Sequence, residues 1–180
     1  MKGINLPNKL TILRVILVPV FIFTLLYGNR WAALVLFIAA SFTDWLDGYL
    51  ARKNKEITDF GKFADPLADK LLVTSALVGF VQLGLIPAWV AMAVIGRDLA
   101  VDGLRMVAAA KSVVMAAGMS GKVKTAVTMV AIPVMMTPLG ALGWGVFTVN
   151  NILCVVILIL NLWSMLDYFM KNGKLVLEDM

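Results

Sequence analysis

There is no histidine anywhere in the 180 residues of this chain. That absence removes imidazole metal ligands, a histidine general base and a phosphohistidine intermediate together. One cysteine, Cys154, excludes an intrachain disulfide, and its apolar surroundings at 151–160 mark it as a small filler. Charge is also scarce. Only 15% of the residues are Asp, Glu, Lys or Arg, and 71–96 and 125–166 contain none at all. No internal repeat, low-complexity tract or Gly/Ser/Pro linker breaks the chain. Any catalysis must therefore run on carboxylates, lysine, arginine and hydroxyls.

What the sequence has in abundance is apolar surface. Hydrophobic residues make up 61% and the mean hydropathy is +0.91, far above an ordinary soluble domain. Six apolar segments stand out at roughly 7–27, 31–51, 62–83, 87–108, 123–139 and 148–170. Gly28-Asn29, Gly84 with Pro87, and the glycine-rich stretch 140–145 punctuate them. Each is long enough to cross a bilayer as a helix at about 1.5 Å per residue, and helices are required because open strands cannot satisfy their backbone in lipid. The expected fold is all-α: a polytopic membrane bundle of six transmembrane helices, residues 1–180 forming a single domain. Arg14 interrupts the first apolar run and no small-residue cleavage site follows, so that run is expected to stay as an uncleaved span.

The net charge of +5 does not point to nucleic acid, because the basic residues flank apolar segments instead of lining a soluble face. With six spans and both termini on one side, fifteen of the sixteen Lys and Arg residues fall on that side and only Arg30 on the other. The positive-inside rule makes the crowded side cytoplasmic. Trp31, Trp89 and Trp144 then fall near the outer boundary, as interfacial anchors do.

The acidic residues are more specific than the basic ones. The second segment ends in Asp44-xx-Asp47-Gly48-xx-Ala51-Arg52, and the third opens with Gly61-xxx-Asp65-xxx-Asp69. On a helix the first group shares one face, and so does the second. A short polar connection makes the two helices antiparallel neighbours, so four carboxylates can converge. Near membrane depth such a group repels itself strongly unless cations intervene. Hard divalent ions, Mg²⁺ or Mn²⁺, take oxygen ligands of this kind, and a pair of them clamps a phosphoryl group during in-line displacement. Gly48 and Ala51 remove bulk from the same stripe, and Arg52 carries a planar fork suited to phosphate. Two plainer readings of the carboxylates are a structural ion-pair network with Arg52 and Lys70, and a cation site used for transport.

The eight residues of this pattern, at this spacing, resemble the signature of the CDP-alcohol phosphotransferase family without departure. In that family the four aspartates bind two metal ions, here Asp44, Asp47, Asp65 and Asp69. The last, Asp69, is assigned as the base that deprotonates the acceptor alcohol. The family's contacts to the CDP group match Gly48, Arg52 and Thr58. The resemblance implies a six-helix membrane fold, usually homodimeric, with a polar cavity open to the cytoplasm and CDP-diacylglycerol among the substrates.

Further stretches are similar to one branch of that family, the bacterial phosphatidylglycerophosphate synthases: Asn5-Leu-Pro-Asn8-Lys-Leu-Thr11-xx-Arg14, Gly96-Arg97-Asp98-xxxx-Gly103-Leu-Arg105, Gly121-Lys122-Val-Lys124-Thr125 and Leu162-Trp-Ser-Met-Leu. The likeness covers nearly the whole chain. It departs at Asp98, where Glu is usual, at Asp102, where a small or hydroxyl residue is usual, and near Thr128, where Gln is common. The acceptor implied is sn-glycerol 3-phosphate, whose phosphate needs cations. Arg97 and Arg105 in the fourth segment, and Lys122 and Lys124 before the fifth, are the candidates. Against that stand two local explanations. Arg105 shares a helical face with Asp98 and Asp102 and can serve as their counter-ion, and the lysines also follow from topology alone. Asn8 and Thr11 either touch the nucleotide or cap and pack the first helix beside Pro7.

Two rival readings keep the residues and change the role. Serine, inositol phosphate or phosphatidylglycerol could replace the acceptor, or the carboxylates could serve a divalent-cation transporter. A transport path needs polar groups across the membrane, and the outer halves of the six segments are nearly devoid of them.

Overall fold

The computed structural model describes residues 6–54, 59–111 and 118–172, with side chains from residue 9 onward except at 45, 47–54, 59–66, 69 and 172. The described residues are all-α apart from one small hairpin. Among them six α-helices run in order: α1 (Leu6–Tyr27), α2 (Arg30–Asn54), α3 (Asp59–Gln82), α4 (Ala88–Ala110), α5 (Met119–Met136) and α6 (Val149–Asn172). The six apolar segments each became one helix. Most helix ends run past the apolar segment: α2 continues three residues beyond Ala51, and α5 starts at Met119 instead of near 123. The residues added at the ends of α2 (52–54) and α6 (171–172) are polar, and intrahelical bonding needs no lipid to continue into water. The chain divides into two compact units, Met1–Gly84 and Leu85–Met180.

In the first unit α1 packs against α2 and α3, which also touch each other. The joint between α1 and α2 is two residues long. Asn29 caps α2 by accepting a hydrogen bond from the Trp31 amide at 2.8 Å. A Cβ on Gly28 would lie 2.9 Å from the Thr24 carbonyl oxygen, so the chain turns there only without a side chain. The inward stripe of α1 is Thr11, Arg14, Val18, Phe21 and Leu25, all buried and spaced at the helical repeat. It is apolar near the joint and polar one end away. Small residues let the helices close up: Ala33, Ala40, Ala68 and Ala76 are fully buried. Phe21 and Phe37 meet with ring centroids 5.7 Å apart.

In the second unit α6 packs against both α4 and α5. The connection from α5 to α6 is more organised than a glycine-rich break suggests. A 3-10 turn (Pro138–Ala141) leads into β1 (Gly143–Trp144) and β2 (Phe147–Thr148), which pair antiparallel with Trp144 opposite Phe147. Gly145 opens the two-residue turn with φ +57°, the sign that such a turn requires. The Val149 amide donates to the Leu142 carbonyl at 2.8 Å and the Asn151 side chain to the Val146 carbonyl at 2.9 Å, so main-chain polar groups of this loop are satisfied internally.

The surface is inverted relative to that of a water-soluble protein. Large apolar side chains such as Phe23, Val35, Met92, Leu99, Val130 and Ile159 are exposed, while Arg14, Lys124, Thr128 and Asn161 are buried. Water would reject that distribution, but lipid accepts it. Two helical stretches, Lys9–Tyr27 and Val149–Lys171, are long and apolar enough by themselves to cross a membrane. Trp31, Trp89 and Trp144 are all exposed, Trp144 to 90%.

Candidate active site

The four motif aspartates sit on α2 and α3 as the spacing requires. Asp44 and Asp47 are three residues apart on α2, Asp65 and Asp69 four apart on α3, and both helices are regular over these positions. Of the four, Asp44 is the one whose side chain the structure describes. Its Oδ1 accepts a hydrogen bond from Arg14 Nη1 at 2.6 Å. The Arg14 side chain is 0% exposed and that of Asp44 38% exposed. Arg14 thus anchors the carboxylate from the protein side while Asp44 still reaches solvent.

The pairing follows from counting. Arg14 lies fourteen residues before Gly28 and Asp44 fifteen after Asn29. Two antiparallel helices joined by a two-residue turn place such positions level, about 20 Å from the joint. The plainer reading of the aspartates as an ion-pair network named Arg52 and Lys70 and did not include Arg14, which the structure shows as a partner of Asp44. Thr11, one turn before Arg14 on the same buried stripe, is 0% exposed, which favours the packing alternative for that residue. Asn8 falls on α1 and Gly48 and Arg52 on α2, with side chains beyond those described, and Thr58 lies outside the described residues.

A half-exposed carboxylate presented by a helix suits a hard divalent cation. Arg14 neutralises one charge of a motif that carries four, so the donor chemistry of this helix pair fits a metal site.

The second unit assembles the candidate acceptor residues. Lys124 reaches from α5 to Asp98 on α4, its Nζ lying 2.6 and 2.8 Å from the two carboxylate oxygens. Arg97 joins them: Nη1 donates to Asp98 Oδ1 at 2.9 Å and Nη2 to Ser164 Oγ on α6 at 2.6 Å. The side chains of Lys124 and Arg97 are only 6% and 11% exposed. A Cβ on Gly121 would lie 3.8 Å from both Arg97 Nη2 and Ser164 Oγ, so α5 leaves room at this contact. Arg97 Nε is buried without an acceptor among the described residues, which a ligand oxygen would satisfy.

Arg105 stands apart, two turns further along α4. Its Nε donates to the Tyr168 hydroxyl at 3.0 Å, and its guanidinium carbon lies 5.6 Å from the centre of that ring. Of the local alternative, in which Arg105 serves Asp98 and Asp102 as counter-ion, the Asp98 half is not seen: Asp98 takes its counter-ions from Arg97 and Lys124. Lys122 is exposed. Two residues along a helix turn the side chain by about 200°, so Lys122 and Lys124 point to opposite sides. The structure therefore gathers Arg97 and Lys124, and leaves Arg105 and Lys122 outside that cluster.

Sequence reading missed the role of α6. Ser164, Asp167, Tyr168 and Lys171 occur at offsets 0, +3, +4 and +7, one polar stripe at the end of an apolar helix. Ser164 holds Arg97 and Tyr168 holds Arg105, as above. Asp167 accepts from Ser120 of α5 at 2.5 Å and pairs with Lys171 at 2.6 Å. The offsets alone could have revealed the stripe.

Comparison with known proteins agrees with the motif. A sequence model of the CDP-alcohol phosphatidyltransferase family matches residues 4–166. A protein of Bacillus subtilis named CDP-diacylglycerol–glycerol-3-phosphate 3-phosphatidyltransferase is 46% identical over 147 residues, covering 73% of this chain and 76% of its own length. One of the same name from Haemophilus influenzae is 37% identical over 185 residues, 96% of each chain. A plant relative from Arabidopsis thaliana, the second of that name there, is 34% identical over 98% of this chain and 83% of its own. The match takes in the aspartate helices of the first unit and the Arg97–Asp98–Lys124 cluster of the second, and on that breadth the chain belongs to the CDP-alcohol phosphatidyltransferase family.

Proposed function

We propose that this protein transfers the phosphatidyl group of CDP-diacylglycerol to sn-glycerol 3-phosphate, forming phosphatidylglycerophosphate and CMP. The observation that carries the reading is chemical. An acidic motif on α2 and α3 suits a metal-bound diphosphate, and two nearly buried cations, Arg97 and Lys124, with an unsatisfied Nε on Arg97, suit an acceptor that is itself phosphorylated. Relatives named for this transfer match 73% and 96% of the chain.

Asp44, Asp47, Asp65 and Asp69 would hold two Mg²⁺ or Mn²⁺ ions, which when bound offset the charge of the diphosphate. Gly48, Arg52, Thr58 and Asn8 bind the CDP group. Arg97 and Lys124 grip the acceptor phosphate, with Arg105 and Lys122 supplying further positive charge. Asp69 accepts the proton of the glycerol hydroxyl. That oxygen then forms a bond to the lipid-linked phosphorus as the bond to the CMP oxygen breaks, so CMP departs with the electron pair. No side chain becomes phosphorylated. The acyl chains stay in lipid while the head group meets the aspartates.

The same reading makes residues 1–180 one functional domain of six membrane spans in the bacterial cytoplasmic membrane, with the termini and a polar cavity on the cytoplasmic side. It also makes the protein a homodimer. The charge distribution along the chain supports the orientation.

The test is to supply membranes containing the protein with CDP-diacylglycerol and, separately, glycerol 3-phosphate, serine, inositol phosphate or phosphatidylglycerol, and to identify the lipid product. Phosphatidylglycerophosphate with glycerol 3-phosphate alone is expected. A product from serine, inositol phosphate or phosphatidylglycerol instead would reassign the acceptor, and no CMP release with any of them would remove the transferase reading.

A further inference from the structure

Asp98 is an odd occupant of a site meant for an anion. It is a carboxylate, 24% exposed, set among the cations that would grip the acceptor phosphate. At first sight it should repel the substrate. Its contacts indicate otherwise. Both of its oxygens are engaged by Lys124, and Oδ1 also receives Arg97 Nη1. Without Asp98, an ammonium and a guanidinium would face each other with both side chains almost wholly withdrawn from water. Like charges in that setting separate, or one of them leaves. Ser164 ties down Arg97 from the other side, but the described contacts give Lys124 Nζ no other anchor than Asp98.

We propose that Asp98 is a positioning residue for the acceptor phosphate, holding Lys124 and Arg97 side by side as a preorganised pair of net charge +1 with Asp98 included. The inference rests on the reaction proposed above and extends it to a residue that does not itself touch substrate. The pair approaches the phosphate already fixed by three hydrogen bonds to one carboxylate, so little side-chain freedom remains to be lost on binding. The repulsion between Asp98 and the incoming dianion is outweighed because each oxygen of Asp98 is already covered by a cation.

The experiment compares steady-state kinetics of the full-length protein and its Asp98→Asn and Asp98→Glu variants in membranes, varying glycerol 3-phosphate and CDP-diacylglycerol separately. Asp98→Asn keeps the shape and removes the charge. The acceptor KM should rise by roughly 10- to 100-fold, the scale of a lost charge-assisted contact. The CDP-diacylglycerol KM should stay near its wild-type value. Asp98→Glu restores the charge and should recover most of the acceptor affinity. An unchanged or lowered acceptor KM in Asp98→Asn overturns the proposal, because Asp98 would then only oppose the phosphate.

Should Asp98→Asn fail to accumulate, the Asp98→Asn, Lys124→Met pair is compared with Lys124→Met alone. If Asp98 acts through Lys124, the double variant binds acceptor no worse than the single one. A further rise of the full amount, roughly 10- to 100-fold, overturns the idea, since none of the effect would then run through Lys124. Wild-type protein that makes no lipid from glycerol 3-phosphate would sink the reaction itself, whereas normal wild-type turnover with an indifferent Asp98→Asn sinks this inference alone.

Discussion

Replacing Arg14 by methionine tests the link between fold and chemistry most directly. The substitution removes a fully buried guanidinium and fills most of its volume, so the lost contact with Asp44 dominates over a cavity. Removing one partner of a buried ion pair commonly costs about 3–5 kcal/mol. Asp44 is 38% exposed, however, and water can take over part of its charge. The expected cost is therefore nearer 2 kcal/mol, the worth of one charge-assisted hydrogen bond. For a chain of this length that corresponds to a fall of roughly 4–8 °C in the unfolding midpoint. The assay is thermal unfolding in detergent, run beside CMP release. The cycle is completed with Asp44→Asn and the double variant. Coupling of about 1.5–3 kcal/mol between the two positions is expected. If the single effects simply add, within about 0.5 kcal/mol, the 2.6 Å contact does not contribute to stability and the argument from level positions on α1 and α2 fails. Arg14→Lys should lie between wild type and Arg14→Met, because the charge stays and the fork is lost.

Other outcomes follow from the same geometry. Excess chelator should abolish CMP release, with Mg²⁺ or Mn²⁺ restoring it; full activity in chelator would remove the metal from the reading. Asp69→Asn should fold and bind nucleotide yet lose about 10²- to 10⁴-fold in turnover, since an amide cannot take the hydroxyl proton. Near-normal turnover would require another base. Tyr168→Phe keeps the ring beside Arg105 and deletes one hydrogen bond of 3.0 Å. Its acceptor KM should rise by a factor of about 2 to 10, and Arg105→Lys should exceed that, because it loses the ring contact and the fork together. Equal effects would mean that Arg105 is only tethered to Tyr168.

Much of this was legible in the sequence, for identifiable reasons. Six apolar runs bounded by Gly28-Asn29, Gly84 and the 140–145 stretch could only become helices, and they did. Their ends were misjudged because hydropathy marks where lipid stops, whereas hydrogen bonding decides where a helix stops. The hairpin at Gly143–Trp144 and Phe147–Thr148 was invisible, since two-residue strands carry no periodicity. Arg14 and Asp44 were recoverable by counting outward from the joint. The counter-ions of Asp98 were not. Lys124 belongs to another helix with no countable register, and Arg97 is its immediate neighbour, a spacing that normally points side chains apart. Local face-matching offered Arg105 as the alternative counter-ion, but its long side chain turns to Tyr168.

The level placement of Arg14 and Asp44 has a consequence for how the protein enters a membrane. A newly made α1 carries its arginine into hydrocarbon at a cost of about 3 kcal/mol when it enters alone. Its partner is thirty residues further along the chain and emerges from the ribosome later. Because the joint is only two residues long, α1 and α2 can be inserted together as a helical hairpin, with the ion pair formed before either strand of it meets lipid. On the proposed six-span topology, the turn at Gly28-Asn29 would thus set the order of insertion as well as the register that pairs Arg14 with Asp44. Lengthening the joint by a flexible segment would delay that pairing and expose an unneutralised arginine to the insertion machinery.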